Sequence, residues 1–112
     1  MKLKRTANPA AVAPATWYAI GVADVVYRKH GMGPVVVTSM NDSHEERPTS
    51  LHNRGLAVDL RTRAIPDSTL GLIYDDIVKI LNPQGFDVVL EANHIHIESD
   101  PKGTEQFIER TD

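Results

Sequence analysis

The order of segments predicts an α+β fold, a small single domain with a mainly antiparallel sheet flanked by helices. Three observations carry that expectation. Short β-branched runs alternate with two stretches of helical periodicity, in the order αββαββ. The last two strands are separated by little more than Ala92-Asn93, a spacing that suits a hairpin and not a crossover. Finally, 112 residues suffice for one modest core and not for two.

Each element has a local cause. Residues 1–14 are charged, then rich in Ala and Pro, without periodicity, and are expected as an N-terminal arm before a domain spanning 15–112. Thr16 is placed to cap a helix running to about His30, with Trp17, Ile20, Ala23 or Asp24, and Tyr27 at helical spacing. Gly31 and Gly33-Pro34 stop it. Val35 to Met40 is continuous and β-branched, as a buried strand requires. Residues 41–49 read as a polar loop, and Ser50 as the cap of one helical turn ending at Gly55. Ala57 to Arg61 is a strand whose Val58 and Leu60 face the core, leaving Asp59 on the other side. Pro66-Asp67-Ser68 opens a second helix with the stripe Leu70, Ile73, Ile77 and Ile80 or Leu81. Asn82-Pro83-Gln84-Gly85 ends it, and Phe86 to Leu90 with His94 to Ile97 form the hairpin.

Composition narrows the function classes. A net charge of -3 gives no broad basic field, so a nucleic-acid partner is not expected. Cysteine is absent, which removes disulfides and requires any zinc site to use His and carboxylate. The basic start and the short apolar stretch Ala10 to Ala15, broken by Pro14, do not make a secretory signal, so synthesis in the cytoplasm is expected. No run is long enough to insert in a membrane.

The histidines carry the chemistry. His52 precedes Asp59 in Ser50-Leu51-His52-Asn53-Arg54-Gly55-Leu56-Ala57-Val58-Asp59, and His94 and His96 share one face of a later strand. Two histidines and one carboxylate are the ligand set of a catalytic zinc ion with an open fourth position. Ligand bonds of about 2.0–2.2 Å leave room for only one of His94 and His96 on the metal, with the other beside it. A nearby Glu would then carry the proton in amide hydrolysis. Against this stands the plainer account, in which a single His or Asp is a satisfied surface residue. Four of the five histidines fall in or beside these segments, which favours a metal site. His30, the fifth, sits at a helix C-terminus, where a cation is favoured by the dipole, and is given no catalytic role.

Ser50-x-His52-x-x-Gly55-x-Ala57-x-Asp59, followed by Gly85-Phe86-Asp87-x-Val89, Glu91 and His94-Ile95-His96, resembles the M15 family of zinc D-Ala-D-Ala carboxypeptidases and L-alanyl-D-glutamate endopeptidases, in its short phage-type subgroup. The resemblance runs from about Val35 to Glu98, and the hedgehog signalling domain shares the fold it implies. It implies a hedgehog/DD-peptidase-like domain that holds Zn2+ through His52, Asp59 and His96. Glu91 becomes the general base, His94 flanks the metal and stabilises the tetrahedral intermediate, and His44 occupies the place of a loop histidine. The implied partner is a peptidoglycan stem peptide, met after release from the cell or as a virion component.

Three departures bear on activity. Met40-Asn41-Asp42 stands where many relatives carry a substrate-contacting Arg, with Arg47 as a candidate replacement. Asn93 replaces the Asp that serves as base in Asp-His-x-His members, and an amide takes up no proton at neutral pH. Glu91 is five residues before His96, so on an unbroken strand it would face away; a turn at Ala92-Asn93 must reset the parity. A second register, with His94 as ligand and Glu91 three residues ahead of it, stays open. Two other functions compete: a zinc-containing binding module without turnover, and a small nuclease of the His-Asn-His type drawn from His52-Asn53. The acidic balance and the spacing from His52 to Asp59 oppose the nuclease.

Overall fold

The fold is given by a computed structural model of the chain, which describes residues 1–10, 12–40 and 56–99. The elements are β1 (Lys2–Leu3), α1 (Pro14–Lys29), β2 (Val36–Ser39), β3 (Ala57–Arg61), α2 (Asp67–Leu81), a 3-10 turn (Asn82–Gln84), β4 (Phe86–Leu90) and β5 (His94–Ser99). The five strands form one sheet in the order β1-β2-β3-β5-β4. β1 runs parallel to β2, and every other neighbouring pair is antiparallel. The expected α+β class with a mainly antiparallel sheet is therefore what the chain adopts. The first residues contribute a strand of their own, tied by backbone bonds from Lys2 N–H to the Val35 carbonyl and from Lys4 N–H to the Val37 carbonyl.

One face of the sheet carries the core. Val37, Val58, Leu60, Val88, Ile95 and Ile97 pack with Ile20, Ala23 and Tyr27 of α1 and with Ile73, Ile77 and Leu81 of α2. The α2 stripe closes on Leu81, wholly buried, while Ile80 faces out at 42% exposure. Each large aliphatic side chain so buried contributes about 1.5–3 kcal/mol. Helix α1 starts two residues before the expected Thr16 cap, with Pro14 in its first turn and Ala13 as the N-cap residue. Proline's missing N–H costs nothing in a first turn, which explains the earlier start. Thr16 is buried instead of capping.

Three polar ties fix the helices, two of them to the strands and one to each other. Asp24 accepts the Val35 N–H at 2.9 Å and binds Arg28 Nε at 2.9 Å, joining α1 to the start of β2. Burial pushes the Asp24 carboxyl up, but those two donors outweigh it and leave the group below its ordinary value. Tyr27 donates its hydroxyl to the Arg61 carbonyl at 3.0 Å, holding the end of β3, and burial raises its pKa. His30, at the end of α1, meets Asp76 of α2 at 2.7 Å, and this hydrogen bond holds Asp76 below the usual carboxylate range. His30 thus joins two helices.

Candidate metal centre on the polar sheet face

β3 and β5 are neighbours although α2 and β4 intervene in the chain, and their register pairs Asp59 with His96 and Arg61 with His94. Side chains alternate along a strand, so Val58, Leu60, Ile95 and Ile97 go to the core. Asp59, Arg61, His94, His96 and Glu98 share the opposite face. The same alternation that buries the isoleucines thus collects the polar groups.

The cluster has definite geometry. Asp59 Oδ1 lies 2.7 Å from His96 Nδ1 and 3.6 Å from His94 Nε2. The other nitrogen of His96, Nε2, is 3.0 Å from Glu98 Oε2. With a carboxylate at each nitrogen, both ring N–H groups donate and the ring is held as an imidazolium. The Asp59 hydrogen bond raises the His96 pKa; burial opposes it, Glu98 adds to it, and the outcome is a rise from 6.5 to about 9. His94 is fixed from its other side, where Nδ1 stands 2.6 Å from Asn93 Oδ1. A His94 ring that donates Nδ1–H to Asn93 presents Nε2 with its lone pair when neutral, and as a second N–H when protonated.

Glu91 joins this face through the hairpin. β4 ends at Leu90, opposite Ile95, and the Glu91 N–H bonds to the His94 carbonyl at 2.8 Å. Directly opposed residues of antiparallel strands share a face, so the register that continues past Leu90 sets Glu91 beside His94. Ala92-Asn93 forms the turn that the odd spacing between Glu91 and His96 demanded.

The expected site residues therefore divide. Asp59, His94, His96 and Glu91 come to one sheet face. His44 and His52 lie outside the described residues, as do Arg47, the loop from 41 to 49 and the capped turn at Ser50. Among the described residues, no three His, Asp or Glu side chains are grouped to hold a metal by themselves. Asp59 and His96 are a carboxylate and an imidazole, the ligand types that a zinc site without cysteine uses. At 2.7 Å the two atoms share a hydrogen bond through the ring N–H, and a zinc ion about 2.0–2.2 Å from each would need them to move apart. Sequence reasoning missed Glu98. Its signal was present, since a carboxylate two residues after His96 on the same strand shares its face.

Comparison with known proteins found no matching family model, no matching curated protein and no matching solved structure. No helix among the described residues is long and apolar enough to cross a membrane.

Proposed function

We propose that the chain is a zinc-dependent peptidase of the M15 type, with a hedgehog/DD-peptidase-like fold, that hydrolyses an amide bond in peptidoglycan stem peptides. The observation that carries this reading is the convergence of Asp59 Oδ1 and His96 Nδ1 at 2.7 Å, with His94 Nε2 3.6 Å away on the same face. His52, seven residues before Asp59, is the third proposed ligand. Glu98 at His96 Nε2 supports the register that makes His96 the ligand. Metal-bound histidines characteristically donate their second N–H to a carboxylate, which fixes the ring.

Zinc, when bound, supplies Lewis acidity to water and to the scissile carbonyl. The side chains supply the rest. Glu91 takes the proton of the attacking water and returns it to the leaving amine. His94 hydrogen-bonds the carbonyl oxygen through Nε2 as negative charge develops there, while Asn93 keeps the ring oriented. The proposed setting is the cell wall, reached by a phage lysin or a virion component.

The test is mass spectrometry of peptidoglycan fragments after incubation with zinc-loaded and with chelated protein. Cleavage of stem peptides only in the zinc-loaded sample is expected; intact peptidoglycan in both sinks the peptidase. One observation favours a second reading, a zinc-containing binding module without turnover. Asn93, an amide, stands where a base is expected in Asp-His-x-His relatives, and it is spent on His94. Stoichiometric zinc with no cleavage would select that module.

A further inference from the structure

Arg61 brings a permanent positive charge to the polar face, on the strand that carries Asp59. It pairs in register with His94, and it is partly buried. Asp59 and Glu98, the carboxylates nearest along the ladder, are both engaged by His96. Among the described residues, Arg61 forms no ion pair. A partly buried guanidinium without a counterion carries a desolvation cost, and an anion with two oxygens relieves it through a bidentate contact.

A cavity of about 110 Å³ lies beside it, walled by Arg61 with Met32, Pro34, Val36, Ala64 and Ile65. Its apolar lining suits a small aliphatic side chain. Arg61 therefore belongs to two environments: the wall of this cavity, and the ladder position opposite His94, next to the proposed reactive centre. The Tyr27 hydroxyl on the Arg61 carbonyl holds that position from the core side.

We propose that Arg61 and this cavity form the subsite for the C-terminal residue of a peptide, Arg61 taking the free carboxylate and the cavity a small side chain. The inference rests on the peptidase reading and deepens it, since a carboxylate anchor one ladder position from the scissile bond makes the enzyme a carboxypeptidase and not an endopeptidase.

The test has two arms. First, acetyl-alanyl-alanine and its C-terminal amide, each in both hands, are titrated into the protein without zinc and followed by NMR shifts. The free acid is expected to bind about tenfold or more tightly than the amide. Arg61→Gln should erase that difference and leave amide binding unchanged, with its fold checked by thermal melting. Ala64→Leu keeps the arginine but fills the cavity, and should weaken both ligands. Equal binding of acid and amide by the wild type overturns the proposal. So does discrimination that survives in Arg61→Gln, or unchanged binding in Ala64→Leu. The second arm measures hydrolysis of the same acid and amide with zinc. Absence of any hydrolysis, with carboxylate discrimination intact in the first arm, faults the peptidase and spares the subsite; cleavage of acid and amide at equal kcat/KM faults the subsite and spares the peptidase.

Discussion

Asp59 and His96 lie 37 positions apart in the chain and face one another across the β3–β5 ladder, with Asp59 Oδ1 2.7 Å from His96 Nδ1. This contact joins the two sequence segments that hold the candidate chemistry. It also gives the metal-free protein a measurable signature.

The first prediction follows from the imidazolium. His96 has its pKa raised from 6.5 to about 9, by Asp59 first and by Glu98, against the opposing effect of burial. A group whose folded pKa is raised binds its proton more tightly when folded. Its stabilisation is present in full below 6.5 and is lost as pH rises through about 9. Denaturant titrations of metal-free protein across that window should show falling stability in the wild type. The decline should be much shallower in His96→Gln; an identical decline in both would remove His96 as its source.

Metal uptake should run against the same proton. Loading zinc on His96 Nδ1 displaces its proton, so apparent affinity should rise with pH and binding should release protons, measurable by calorimetry in buffers of different ionisation enthalpy. His96→Ala should lose tight zinc binding, whereas His94→Ala should keep it and lose turnover. The opposite pattern would select His94 as the ligand.

Glu98 should matter to the metal without touching it. Glu98→Gln, which leaves a side chain of the same size, should weaken zinc affinity about 10–100-fold in competition with a chromophoric chelator. An unchanged affinity would show that the 3.0 Å contact with His96 Nε2 has no part in orienting the ligand.

Glu91→Gln separates binding from chemistry. Zinc should stay bound, while kcat falls by about 10²–10⁴-fold for loss of the proton carrier. Full activity in this variant would remove Glu91 from the mechanism.

The core that underlies the site should respond in a different way. Ile95 is wholly buried between His94 and His96, so Ile95→Ala should cost about 2–5 kcal/mol in chemical denaturation. It should also weaken metal binding, because the strand that presents both histidines is seated by that side chain. A loss below about 1 kcal/mol would mean that the strand is held elsewhere.

Much of this was legible because strand and helix periodicity is local. Ala57–Arg61 and Phe86–Leu90 fall where alternation and turn residues put them, and α2 begins and ends between Pro66 and the Asn82-Pro83 break. Alternation alone assigned Asp59 to the face opposite Val58 and Leu60. The start of α1 escaped, since a capping hydroxyl at Thr16 and a proline at Pro14 are competing signals and the proline prevailed. So did β1, whose two residues Lys2–Leu3 are too few to show any period.

By itself the sequence determined which side chains share a strand face, because that depends only on residues one and two positions apart. Which strands become neighbours was decided by the tertiary structure. β5 enters between β3 and β4, and only that order sets Asp59 opposite His96 and Arg61 opposite His94. The hairpin likewise set Glu91 opposite His94 in the backbone, against the parity of an unbroken strand. The physical reason is that pairing between distant segments is chosen by burial of the whole core, to which Ile95 and Ile97 belong together with residues of both helices, and no local window of sequence contains that choice.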